Sequence, residues 1–104
     1  MNNRFLQFLG IVKKSGKIAE GYNKCEEISK NGMAKLIILS DDASDNTKNK
    51  FENYSLRYDI PIIKNGFLSE DLGKILGREN IKVICVTDYK MSCKLISILK
   101  QQND

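Results

Sequence analysis

Three groups of residues in this chain could do chemistry. The first is acidic. Asp41 and Asp42 follow one apolar run and Asp88 follows another. Carboxylates at the carboxyl ends of strands in an open α/β sheet could converge on Mg²⁺ as part of a small regulatory ligand-binding domain. The same residues stand where helices begin, and acidic side chains there cap free N–H groups and complement the helix dipole. The second group is cationic: Lys13, Lys14, Lys17 and Lys24 flank Gly21 and Asn23. A helix starting near Gly21 offers unpaired N–H groups to an anion, and glycine lets the main chain come close to it. Asn23 both donates and accepts, which suits base edges, while lysines suit phosphates. Asn23 serves equally well as a helix cap. The third group is the thiols of Cys25, Cys85 and Cys93. An odd count without CxxC spacing is a poor disulfide framework, and Cys85, inside an apolar run, reads as a reduced, buried, inert thiol.

Catalysis fits poorly. The chain has no histidine, so the commonest general base and the Ser-His and Cys-His nucleophile pairs are missing. The usual zinc patterns and the Gly-rich phosphate-binding motifs are also missing. The expectation is a binding protein rather than an enzyme, with no metal and no cofactor. Net charge is +4 over 104 residues. Residues 1–40 carry seven basic and three acidic side chains, whereas residues 41–104 carry ten of each. All the excess positive charge therefore lies in the N-terminal two fifths, as expected of a surface that faces a polyanion.

Those groups need a scaffold, and the apolar pattern supplies one. Apolar residues make up 41% of the chain, enough for a core, and the length fits one domain over residues 1–104. No apolar run approaches the ~20 residues of a membrane span. No signal peptide is read, so the expected location is cytoplasmic.

Phe5, Phe8, Leu9 and Val12 mark a first helix over 3–13, capped by Asn2 or Asn3 and stopped at Ser15-Gly16. Lys17-Ile18-Ala19 is a short strand. A second helix runs over 23–30 and ends at Asn31-Gly32. Ala34 to Ser40 reads as a central strand buried on both faces. A third helix starts in the stretch 41–45, with Thr47, Phe51, Tyr54 and Tyr58 on one face. A short strand at 61–64 starts with Pro61, and Asn65-Gly66 turns the chain. Ser69-Glu70-Asp71 caps a fourth helix closed by Gly77. Lys82 to Thr87 forms the last strand, and Asp88 caps the last helix, striped by Met91, Leu95, Ile98 and Leu99. Strands alternating with helices predict a single-domain, three-layer α/β/α sandwich around a mixed sheet of about four strands, with at least some parallel pairing.

Several segments carry a resemblance. EGYN at 20–23, NGMAKLIILSDDAS at 31–44, IPII at 60–63, LGKILG at 72–77 and VICVTD at 83–88 resemble the signature of the kink-turn-binding ribosomal protein superfamily. The opening LGIVKKSGK at 9–17 resembles its bacterial YlxQ-like branch. The resemblance implies an α/β/α sandwich acting in translation as part of ribonucleoprotein complexes. It implies that structured RNA, ribosomal RNA included, is bound through the start of the second helix and neighbouring loops. Neither membrane nor DNA is an expected partner, and the chain is expected to be a monomer.

The residues implied are Lys13, Lys14, Lys17, Gly21, Asn23 and Lys24, with Ser44 in the 40–44 loop and Lys64 after the third strand. In the family a Gly-x-Asn-Glu segment opens that helix, its Asn and Glu read guanine edges, and a lysine one turn later supports them. Here the glutamate position is Lys24 and the lysine position is Glu27. A lysine cannot accept a guanine N–H, so the swap shifts the balance from base reading towards phosphate contact or a different RNA fold. Lys24 and Glu27 could still pair across one helix face, for ~0.3 kcal/mol. A protein-interaction module without specific RNA readout is the alternative this departure leaves open. Phe67 either packs under the fourth helix or reaches a base.

Overall fold

The computed structural model describes residues 3–64 and 66–102. Its elements are α1 (Arg4–Lys14), β1 (Ile18–Glu20), α2 (Tyr22–Lys30), β2 (Leu36–Leu39), α3 (Asp45–Tyr58), β3 (Ile62–Ile63), α4 (Ser69–Leu76), β4 (Val83–Val86) and α5 (Tyr89–Gln102). They follow the order expected from the apolar periodicity. Asn2 and Asn65, invoked above for a cap and a turn, lie outside the described residues. Asn3 caps α1 by accepting from the Leu6 N–H at 3.1 Å, and Asp88 accepts from the Met91 N–H at 2.9 Å at the start of α5.

The four strands form one mixed sheet in the order β1-β4-β2-β3. β4 runs antiparallel to both neighbours, and β2 and β3 are parallel. Successive side chains of a strand point to opposite faces. Leu36, Ile38, Ile84 and Val86 therefore face a layer built from α1, α4 and α5. Ile37, Leu39, Val83 and Cys85 face α2 and α3. Every residue of β2 and β4 is buried, which is why both strands are unbroken apolar runs rather than alternating ones.

Two aromatic contacts fix the outer layers. Phe67 stacks on Phe5 with ring centroids 4.6 Å apart. It is core and does not reach for a base. On the other face, Phe51 of α3 meets Tyr22 of α2 edge-on at 5.3 Å and Tyr54 at 5.5 Å. The Tyr54 hydroxyl donates to Glu26 of α2, and Lys50 lies 3.7 Å from the same carboxylate. That hydroxyl, helped by Lys30 and Lys50, holds the Glu26 carboxyl below its usual range, while burial and Glu26 push the Tyr54 phenol up.

The strand directions overturn the idea of a shared acidic site. Because β2 and β4 are antiparallel, with Leu36 opposite Val86 and Leu39 opposite Val83, their carboxyl ends lie at opposite ends of the sheet. Asp41 and Asp42 cannot converge with Asp88. The capping of α4 also differs from expectation. Leu68 holds the N-cap position and makes no side-chain bond. Asp42, from the loop after β2, accepts from the Ser69 N–H at 2.8 Å and from the Ser69 hydroxyl at 2.5 Å. Ser69 is thus capped from across the fold instead of capping its own helix. Asp41 accepts from the Gly66 N–H at 3.0 Å, so the pair staples two loops together. α4 in turn lies against the following loop at Gly73. A Cβ there would fall 2.7 Å from the Asn80 Cα and 2.9 Å from the Arg78 carbonyl oxygen, which is why only glycine fits.

Candidate functional site

One end of the sheet gathers most of the residues singled out above. The Gly21 N–H donates to the Val83 carbonyl at 3.0 Å, and the Ser40 N–H donates to the Lys82 carbonyl at 2.9 Å. β3 is parallel to β2, so the chain leaves it for Lys64 at this same end. The start of α2, the 40–44 loop, Lys64 and the connection from α4 to β4 are therefore neighbours.

Gly21 is the N-cap of α2 and offers no side chain to cap it. The helix's own ladder begins only with the Cys25 N–H, 3.0 Å from the Gly21 carbonyl. The N–H groups of Tyr22, Asn23 and Lys24 thus form an uncapped first turn, a ready receptor for an anion. Gly21 has φ +93°, in the region where side-chain-bearing residues are strained. Asn23 lies inside the helix with an exposed side chain, so it is not the cap and its amide is available for contacts.

Three cations gather beside this turn, one on α2 and two at the preceding Glu20. Lys24 is exposed and forms the expected pair with Glu27, at 3.4 Å. Lys13 of α1 and Arg78 of the α4–β4 connection both bind the carboxylate of Glu20, whose side chain is 6% exposed. Arg78 was not singled out in the sequence. It sits in a polar loop, and only the tight packing at Gly73 and the left-handed turn at Gly77 (φ +74°) carry it beside Glu20. Lys13, Lys24 and Arg78 line one groove of about 310 Å³, together with Gly16, Ile18, Ala19 and Glu20.

The remaining expected residues distribute differently. Lys17 lies at the opposite end of the sheet, where its carbonyl accepts from the Thr87 N–H at 2.9 Å. The extended chain from Lys17 to Gly21 separates the two by about 13 Å at the usual rise per residue. Lys14 is exposed in the last turn of α1. Ser44 caps α3, accepting from the Thr47 N–H at 3.2 Å, so its hydroxyl already has a structural task. Lys64 pairs with Glu52 at 3.3 Å. Cys25, Cys85 and Cys93 are all free thiols, the first two buried. The neighbouring Cys85 and burial push the Cys25 thiol up. Among the described residues no group of three or more His, Cys, Asp or Glu side chains is placed to hold a metal. No described helix is long and apolar enough to cross a membrane.

The staple beneath this site responds to pH. The Ser69 hydroxyl and N–H, donating to Asp42, lower its carboxyl to about 2, against roughly 3.9 in an unfolded chain. A depressed carboxyl contributes stability that is complete above about pH 4 and fades as pH falls towards 2. Asp42→Asn is therefore expected to unfold at lower urea than the parent at pH 7. The gap between the two urea midpoints should narrow between pH 4 and pH 2. A gap that stays constant through that interval would show that the Asp42 charge does not hold α4.

Comparison with known proteins agrees with this architecture. Residues 4–96 match the model of the ribosomal protein L7Ae/L30e/S12e/Gadd45 family. The chain belongs to that family. It is 34% identical over 91 residues to a Bacillus subtilis protein named RNA-binding protein YlxQ, covering 88% of this chain and 90% of that one. An Enterococcus faecium protein of the same name is 26% identical over 95 residues, covering 91% and 90%. A solved structure of a Bacillus halodurans protein described as of unknown function superposes with a TM-score of 0.90 at 29% identity, covering 95% of this chain and 99% of that one.

Proposed function

We propose that this protein binds structured RNA of the kink-turn kind, ribosomal RNA included, at the sheet end where α2 begins, without a cofactor. The observation that carries this reading is the uncapped first turn of α2, with Gly21 at its mouth, Asn23 exposed within it and Lys13, Lys24 and Arg78 around it. Phosphate binds the free N–H groups and the cations, and Asn23 reads a base edge. Lys64 extends the rim on the far side of the 40–44 loop, while Ser44 acts by holding that loop on α3. Lys14 adds charge from the last turn of α1, and Lys17 acts at a distance through the general field. Family membership supports the reading, as does the name RNA-binding protein borne by the two YlxQ relatives. The absence of an acceptor at Lys24 shifts the division of labour towards phosphate.

The test measures affinity for a kink-turn RNA and for a straight duplex of equal length, at several salt concentrations. Binding should weaken steeply with salt, because phosphate contacts release counterions. Asn23→Ala should reduce the preference for the bent RNA about tenfold, within the range of one base-edge contact. Equal preference in parent and variant would remove Asn23 from the base-reading role. Salt-independent affinity would remove RNA altogether.

A further inference from the structure

The groove lined by Lys13, Lys24 and Arg78 has a property that the α2 turn lacks: it follows an open sheet edge. β1 pairs with β4 on one side only. Lys17 bonds β4 through its carbonyl and Gly21 through its N–H. By the alternation of an antiparallel pair, the main-chain N–H and C=O of Ile18 and Glu20 between them point away from β4. No hydrogen bond reaches those four groups among the described residues. Gly16, Ile18, Ala19 and Glu20 line the groove along its length, so the edge is accessible from solvent.

The charges stand on both sides of this edge. Ile18 and Glu20 point to the face carrying α1 and α4, where Lys13 and Arg78 hold Glu20. Ala19 points to the face of α2, the helix that carries Lys24. We propose that β1 accepts an extended acidic segment of a partner protein as a fifth strand, main chain to main chain. Carboxylates on alternate faces of that segment meet Lys13 and Arg78 on one side and Lys24 on the other.

Strand addition of this kind draws affinity from backbone hydrogen bonds and selectivity from alternating side chains. The three cations still present donors to solvent, with side chains 42%, 56% and 62% exposed for Lys13, Arg78 and Lys24. A nucleic acid backbone suits the edge less well. The carbonyls of Ile18 and Glu20 require donors in register, and a phosphate supplies none.

The probe is a capped peptide, Thr-Glu-Glu-Val-Glu-Glu-Thr, with a control carrying Lys in place of each Glu. Titrated into the isotope-labelled full chain, the acidic peptide should slow amide exchange at Ile18 and Glu20 at least fivefold, and the control should not. Lys24→Gln or Arg78→Gln should weaken the acidic peptide at least threefold. Ile18→Pro removes an outward donor without touching the β4 ladder. It should abolish peptide binding yet leave RNA affinity unchanged, which separates this site from the RNA reading. Should Ile18→Pro not fold, the two glutamine variants still decide. Protection by the basic control, protection by a single-stranded uridine decamer alone, or protection that grows with protein concentration without peptide would each overturn the proposal. So would no protection at millimolar peptide.

Discussion

Phe51→Ala is expected to cost about 3–5 kcal/mol of folding stability, the usual range for truncating a buried aromatic ring. The ring is fully buried in the layer between the sheet and α2/α3. It touches more than the core. Tyr22 opens α2 and leans edge-on against it, and Tyr54, also edge-on, reaches across to Glu26 of α2. Phe51 is therefore the bearing on which the first turn of α2 sits. A domain of this size has roughly 5–15 kcal/mol in total, so the variant should lose a large share of it. The measurement is urea unfolding followed by far-UV circular dichroism, with an unchanged slope required for a clean comparison. Amide exchange at Cys25 and Ile28 should accelerate more than at Leu95 and Ile98, because α5 packs on the opposite face. Phe51→Leu, which keeps most of the volume, should lose clearly less. A loss below about 1 kcal/mol for the alanine variant would mean that Tyr22 and Tyr54 collapse into the gap, against the usual cavity cost.

How much of this could be read in advance depends on the range of the interaction. The nine elements were legible because their signals are local. Phe5, Leu9 and Val12 keep helical spacing, and 36–39 and 83–86 are apolar without a break. Asn3 and Asp88 stand one residue before their helices. The Lys24–Glu27 pair was legible for the same reason, being three apart on one helix. What failed depended on strand direction and on contacts between distant residues. Nothing near Asp88 tells that β4 runs against β2, yet that direction alone places it at the far end from Asp41. Lys17 is four residues from Gly21, but an intervening strand is extended and carries it away, where a helix would have kept it close. Asp42 caps a helix whose first residue is Ser69, and Ser69 itself looked like the cap. Arg78 carried no pattern. Its position comes from the backbone approach that Gly73 permits and from the Glu20 carboxylate that receives it.

Replacing both Lys24 and Arg78 by glutamine should weaken RNA binding on the order of a hundredfold at 0.1 M salt, taking about 1.5 kcal/mol for each charge-assisted hydrogen bond to phosphate that is removed. Glutamine keeps much of each stem, so the effect reports charge rather than packing. The two residues flank the uncapped turn from different elements, one on α2 and one after α4. Neither neutralisation leaves a carboxylate stranded: Glu20 keeps Lys13, and Glu27 is exposed to water. Losing the exposed Lys24–Glu27 pair should change thermal stability little, whereas losing Arg78 should lower it, because the Glu20 carboxylate it shares with Lys13 is nearly buried.

The decisive quantity is the salt dependence. Two fewer phosphate-binding cations should flatten the slope of log affinity against log salt by about 1.5. The preference for bent over straight RNA should survive, since Asn23 and the main-chain N–H groups remain. Asn23→Ala should do the reverse, losing preference with little change in slope. If the double variant instead keeps the parental slope, the phosphates lie elsewhere on the molecule. The cations around Glu20 would then serve the sheet edge alone.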